Sequence, residues 1–319
     1  MTQRVAAIDC GTNSLRLLIA DIDPVRRTLT DVNRRMEIVR LGQGVDATGR
    51  LAPDALERTF RVLTEYAAEI AAAGAGRVRM VATSAIRDAS NADEFTDGVV
   101  GILGTSPEVI TGDEEARLSF AGATAELAAE AGGPHQPIPP YLVLDIGGGS
   151  TEFVLGGDPQ DDGLTAISVD IGSVRLTERH LRSDPPARSQ VQAAIADIDS
   201  SLDDVATAVP LSTARTLVGL AGSVTTITAI ALRLPAYDSA RTHHAWISAD
   251  AVHAVTEQLL SQTRAERAAI GSLHPGRVDV IGAGALVLDR VMRRFGFTEY
   301  ITSEHDILDG IAWSISSGD

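Results

Sequence analysis

Lysine is missing from this 319-residue chain: all 27 of its basic side chains are arginine. That excludes the P-loop lysine, the strand lysine of protein kinases and every Schiff-base or pyridoxal mechanism. Phosphate chemistry therefore falls to arginine, backbone amides or a metal. The single cysteine, Cys10, excludes an internal disulfide framework and a zinc cluster of cysteines, and fits a reducing compartment. Aromatic residues make up only 4% of the chain, too few to suggest a base-stacking platform. Basic residues are outnumbered by 43 acidic ones, leaving a net charge of −16, so no nucleic-acid partner is expected. No apolar run approaches the ~18 residues of a membrane span. The first residues reach Asp9 before a signal-peptide core can form, which makes a cytoplasmic protein with no membrane partner the expectation.

With 44% hydrophobic and 22% charged residues, the composition is that of an ordinary folded protein. The length exceeds the ~250–300 residues at which one core stops growing, so two domains are expected. Residues 5–8 and 15–20 are apolar runs around a polar turn, and 29–41 reads as a third strand. Residues 52–73 carry Leu56, Phe60, Leu63, Ala67 and Ile70 at the spacing of one helix face. Strands are expected at 77–83, 107–110, 165–170, 216–220 and 298–302. Asn91 followed by Glu94 resembles a capped helix start. A helix is expected around 278–292, where Gly282 and Gly284 permit close packing. The acidic stretch 197–204 reads as a solvated helix face, and the pair His243-His244 as a surface loop. The Gly/Pro-dense segment 132–140 is the hinge candidate. Alternating strands and helices make the fold class α/β.

Two stretches align without a gap at an offset of 136 residues: Asp9 with Asp145, Gly11 with Gly147 and Ser14 with Ser150. Each is Asp-x-Gly-x-x-Ser between apolar runs, so the chain reads as a duplicated strand–loop–strand unit. Gly11, Thr12, Asn13 and Ser14, and likewise Gly147, Gly148, Gly149 and Ser150, are candidate phosphate-binding residues. Glycine lets the backbone approach an anion with its N–H groups forward, and the serine adds a donor. Asp9 and Asp145, each at the end of a first strand, are candidates for orienting Mg²⁺ or its waters. Two matching copies point to a split phosphate site facing an inter-domain cleft. A further pair, Gly219 and Gly222, precedes Ser223 and an expected helix whose first amides suit an anion or simple packing equally.

These motifs together resemble the exopolyphosphatase/guanosine pentaphosphate phosphohydrolase family of the actin-like ATPase superfamily. They include Asp9-Cys-Gly-Thr-Asn-Ser14, Arg40-Leu-Gly42, Thr83-Ser-Ala-Ile-Arg-Asp-Ala-Ser-Asn91, Thr111-Gly-Asp-Glu-Glu-Ala116, Asp145-Ile-Gly-Gly-Gly-Ser-Thr-Glu152 and Gly172-Ser-Val-Arg-Leu-Thr-Glu178. The resemblance implies two ribonuclease-H-like domains around a cleft, the first being 1–132 plus about 304–319 and the second 133–303. It implies release of phosphate from inorganic polyphosphate, or conversion of guanosine pentaphosphate to the tetraphosphate, in a homodimer using Mg²⁺, with Mn²⁺ as substitute. Under it Glu115, with Glu114 as alternative, is the general base. Arg87 clamps the terminal phosphate with help from Arg40, and Asp145, Glu152 and Asp9 hold the metal. The tail Ser303-Glu-His-Asp-Ile-Leu-Asp-Gly310 departs from the Leu-Arg-Glu-Gly ending common in the family. An ATP-dependent phosphotransferase or a non-catalytic nucleotide sensor are the alternatives.

Overall fold

A computed structural model describes residues 2–26, 28–125, 127, 135–157 and 163–317. The chain divides into two compact units, Met1–Gly122 with Ile307–Asp319, and Ala123–Asp306. Its first crossing lies at 122/123, inside a helix, rather than in the Gly/Pro-dense segment. Of that segment, residues 132–134 lie outside the described residues, and 135–140 form no helix or strand.

The first unit holds β1 (Gln3–Cys10), β2 (Ser14–Asp23), β3 (Thr28–Ile38), α1 (Val45–Thr48), α2 (Pro53–Ala73), β4 (Arg77–Ala82), α3 (Ser84–Arg87), α4 (Ala92–Leu103), β5 (Glu108–Val109) and α5 (Gly112–Thr124). The sheet order is β3-β2-β1-β4-β5, with β1 antiparallel to β2 and parallel to β4. Successive strand residues face opposite ways. Ala6, Ile8 and Cys10 therefore pack with Leu15, Leu17 and Met80 against Leu56, Leu63 and Tyr66 of α2. Helix α2 starts at Pro53, ends at Gly74 in the left-handed region (φ 70°), and buries Leu56, Thr59, Leu63, Tyr66 and Ile70. The buried Tyr66 hydroxyl donates to the Leu15 carbonyl at 2.9 Å, tying helix to sheet. Asn91 does not cap α4 with its side chain. Its amide instead accepts from Leu51 N–H at 2.8 Å and donates to Leu51 C=O at 3.2 Å, because a buried polar group satisfies itself locally.

The second unit holds β6 (Tyr141–Ile146), β7 (Thr151–Gly156), β8 (Thr165–Val169), α6 (Ser173–His180), α7 (Arg188–Ala208), β9 (Thr216–Leu220), α8 (Ala221–Ala231), α9 (Ser239–Thr242), β10 (Trp246–Ser248), α10 (Ala249–Ser261), α11 (Arg264–Ala268), α12 (Ile281–Phe295) and β11 (Glu299–Thr302); α13 (Ile307–Ser317) then returns to the first unit. There Ile307, Leu308, Ile311 and Ile315 cover Val5, Ala7, Leu18 and Val81, the other face of that sheet. The second sheet runs β8-β7-β6-β9-β11-β10. Its first five strands repeat the first sheet: an antiparallel pair of hairpins, then two parallel neighbours. The duplication read from the two loops is thus a duplication of the whole sheet. Leu142, Leu144, Ile146, Phe153 and Leu155 enter one large cluster with α7, α8, α10 and α12.

The acidic stretch of α7 is not merely solvated. Asp199 forms a two-pronged pair with Arg290 (2.8 and 2.9 Å), and Asp197 lies 2.8 Å from His180, so this face docks α7 onto α12 and α6. Helix α12 begins at Ile281, after a separate 3₁₀ turn at Pro275–Arg277. Nor do His243 and His244 form a bare loop; their rings stack at 3.7 Å, with His305 at 4.8 Å from His243. Among the described residues no helix is long and apolar enough to cross a membrane.

Candidate active site

In the first loop, Thr12 C=O accepts from Gly42 N–H at 2.8 Å, and Asn13 C=O accepts from the N–H groups of Val39 (3.0 Å) and Arg40 (2.9 Å). A trans peptide points its C=O and the following N–H in opposite directions. Binding these carbonyls to the 39–42 segment therefore turns the N–H groups of Asn13 and Ser14 away from it. Arg40 sits in the left-handed region (φ 52°), which bends the chain back over the loop. The approach is close at Gly42, where a Cβ would lie 2.3 Å from Thr12 Cγ2. The Thr12 hydroxyl meets Ser84 Oγ at 2.9 Å, linking the loop to α3.

The second loop is built the same way and more tightly. Gly147 C=O accepts from Ser173 N–H (2.9 Å), Gly148 C=O from Val174 and Arg175 N–H (2.8 and 3.1 Å), and Gly149 C=O from Gly172 N–H (3.2 Å). Arg175 Nε also donates to Gly149 C=O at 2.7 Å. Three consecutive carbonyls are thus taken by the start of α6, and the N–H groups of Gly148, Gly149 and Ser150 turn the other way. Among the described residues no acceptor meets the N–H of Gly148 or Gly149. Such a run of like-directed amides has the geometry that suits an anion. Gly172 permits it: a Cβ there would come within 2.3 Å of the Gly148 oxygen.

Beside each loop, a row of side chains crosses the sheet. In the first unit Asp9 stands opposite Arg16, which stands opposite Met36. In the second, Asp145 stands opposite Glu152, which stands opposite Ser168. Asp9 and Arg16 form an ion pair at 3.5 Å. Asp145 and Glu152 are both buried carboxylates, 8% and 1% exposed, and Ser168 Oγ donates to Glu152 Oε1 at 2.7 Å. Opposite residues in an antiparallel pair have Cβ atoms about 4.5–5.5 Å apart, which puts the two carboxylates within reach of one small cation. Among the described residues no group of three or more His, Cys, Asp or Glu side chains converges as a metal cage. Two carboxylates and a hydroxyl suit Mg²⁺, which takes one or two carboxylates and keeps several waters, and do not suit a zinc cage.

Glu114 and Glu115, adjacent in the first turn of α5, part company. Glu114 is half-exposed and paired with Arg79 at 2.8 Å. Glu115 is buried, and its carboxylate faces the guanidinium of Arg87 at 3.5 Å, while that same Nη1 donates to Ile110 C=O at 2.9 Å. The Cys10 thiol is fully buried, and burial together with the Asp9 charge pushes its pKa well above the ordinary value, so it is an inert packing residue.

The structure thus brings Gly11–Ser14 together with Arg40, Gly147–Ser150 with the start of α6, Asp145 with Glu152, and Arg87 with Glu115. Asp9 it commits to Arg16. Three polar residues escaped the sequence reading. Arg16 aligns with Glu152 at the same offset of 136, so the loop alignment carried that signal. Ser168 has no sequence signal before the β7–β8 register is known. Arg277 lies over the first turn of α8, with Nη1 3.3 Å from Thr226 Oγ1 and Nη2 only 2.2 Å from where a Cβ on Gly222 would sit. Ser223 of that turn and Ser173 of α6 meet over Gly284 of α12, so α8 starts beside the second loop. A cation over a positive helix end is electrostatically unfavourable by itself, and an anion between them reverses the sign.

A family model described as the Ppx/GppA phosphatase family matches residues 18–317. The chain is 50% identical over 324 residues to Exopolyphosphatase 2 of Mycobacterium tuberculosis, covering 98% of each. Among solved structures, an exopolyphosphatase-like protein superposes with a TM-score of 0.90 at 44% identity, covering 97% of this chain and 98% of that one. The Ppx/GppA enzyme of Aquifex aeolicus gives 0.80 at 32%, covering 98% and 100%.

Proposed function

The chain belongs to the Ppx/GppA phosphatase family, and on that premise we propose that it hydrolyses a terminal phosphoanhydride bond, releasing inorganic phosphate from inorganic polyphosphate, with guanosine pentaphosphate as a further substrate of the same chemistry. The observation that supports this reading is that each unit carries a loop whose carbonyls are bound behind it and whose amides turn outward, and that in the second unit two buried carboxylates stand beside that loop. Phosphoryl transfer asks a protein mainly for positioning and charge neutralisation, which is what such loops offer.

Glu115 takes a proton from the attacking water; the water oxygen bonds to the terminal phosphorus, the bridging P–O bond breaks, and the shortened chain leaves on its oxygen. Arg87 orients the terminal phosphate and balances the charge of Glu115. In the first unit the loop amides with Arg16 and Arg40, and in the second the loop amides with Arg277, offer donors to phosphate oxygens. Asp9 keeps Arg16 in place. Asp145 and Glu152 hold Mg²⁺, or Mn²⁺ in its stead, and the ion when bound neutralises phosphate charge. Glu114 has no part in the proton transfer, being engaged with Arg79.

The test is phosphate release by the purified protein with Mg²⁺ from short polyphosphate, long polyphosphate and guanosine pentaphosphate in parallel. Release that collapses in Glu115→Gln supports the hydrolase and ranks its substrates. No release from any of the three contradicts it.

A further inference from the structure

Glu152 is the most enclosed carboxylate among the described residues, 1% exposed, with a second buried carboxylate, Asp145, directly opposite it. Two such groups side by side repel, and each depends on what else its oxygens meet. On the other flank of Glu152, at the paired position of β8, stands Ser168, whose Oγ–H donates to Oε1 at 2.7 Å. The last torsion of a glutamate is broad and roughly two-fold, so a free carboxylate has no fixed plane. A short hydrogen bond to one oxygen narrows the choice of plane. The corresponding place in the first unit is held by Met36, which has no hydroxyl to give, and the residue between it and the aspartate is there an arginine. The hydroxyl thus accompanies the carboxylate pair and is absent where the pair is absent.

We propose that Ser168 is a positioning residue for metal binding: its hydroxyl fixes the Glu152 carboxylate in the plane in which it and Asp145 grip the divalent cation. This rests on the metal role proposed above for Glu152. Residues that orient a ligating side chain typically carry 10–100-fold of metal affinity. The position suits β-branched side chains, since it lies within a strand. Threonine and valine, nearly equal in shape and differing by the hydroxyl, therefore separate the hydrogen bond from packing.

The experiment is Mn²⁺ binding to the substrate-free protein, followed by loss of the free-ion electron paramagnetic resonance signal. It is run on wild type, Ser168→Ala, Ser168→Val, Ser168→Thr and Glu152→Gln, each checked for folding by circular dichroism. The expected result is affinity weakened about 10-fold or more in the alanine and valine variants, retained within about 3-fold in the threonine variant, and largely lost in Glu152→Gln. If alanine fails to fold, the valine–threonine pair decides alone. Valine binding as tightly as threonine, with Glu152→Gln impaired, overturns the role of Ser168 and leaves the metal site standing. Undiminished binding in Glu152→Gln overturns the metal site itself, and Ser168 with it.

Discussion

Three neighbouring strand positions read Asp9–Arg16–Met36 in the first unit and Asp145–Glu152–Ser168 in the second, on sheets of the same order. The loops beside them follow one plan, with carbonyls bound behind and amides turned forward. Arginine at one place gives an ion pair with the aspartate, and glutamate at the matching place gives two buried carboxylates opposite each other. The two units share the backbone plan of the loop and differ in side chains: a buried glutamate facing an arginine in the first, and two buried carboxylates opposite each other in the second, which the proposed function reads as base and metal site.

The largest effect is expected from the base. Glu115→Gln should lower kcat by roughly 10²–10⁴-fold with the fold intact, whereas Glu114→Gln, which only releases Arg79, should cost a few-fold at most. Equal losses in steady-state phosphate release would erase the distinction that the two partners draw. Next come the cations each unit brings. Arg277→Met should raise KM for polyphosphate about 10-fold, the scale of one charge-assisted hydrogen bond, with a smaller change in kcat.

The two bracing glycines sharpen the comparison through stability. In Gly172→Ala the new Cβ meets backbone, 2.3 Å from the Gly148 oxygen, and should cost ~1–3 kcal/mol in urea unfolding. In Gly42→Ala it meets the end of a side chain, Thr12 Cγ2, which can turn aside, so the cost should be smaller. The smallest effect belongs to Arg4 and Asp21, which face each other on the same hairpin as Asp9 and Arg16 but toward its exposed end. Hydrogen bonds from Arg4 hold the Asp21 carboxyl below its ordinary pKa. Its contribution is present above the unfolded value near ~4 and lost as pH falls through the lower folded one. Because the pair is partly exposed and open to solvent screening, that contribution is small. Asp21→Asn should lower the Tm slightly at pH 7 and less at pH 3.

Local pattern carried much of the fold: α2 from the spacing of Leu56, Leu63 and Ile70, the hairpins from apolar runs around polar turns, the duplicated unit from the spacing of Asp9 and Asp145. What failed were contacts made by tertiary neighbours. Asn91 looked like a cap and serves Leu51; the acidic face of α7 looked solvated and is docked by Arg290. The tight loops and the aspartates at the ends of their first strands were legible because glycine and aspartate announce themselves. Glu114 and Glu115 were not separable, since their difference lies in Arg79 and Arg87, which reach α5 from other elements. Ser168 and Arg277 were invisible because strand register and a distant turn bring them in.

The division of chemistry between the units is tested most directly by the Mg²⁺ dependence of phosphate release from polyphosphate in Glu152→Gln and Arg16→Met, measured side by side. The expected result is a Glu152→Gln curve displaced to at least about 10-fold higher Mg²⁺, with the Arg16→Met curve unmoved while its KM for polyphosphate rises. A displaced Mg²⁺ curve in Arg16→Met, or an unmoved one in Glu152→Gln, would contradict the account.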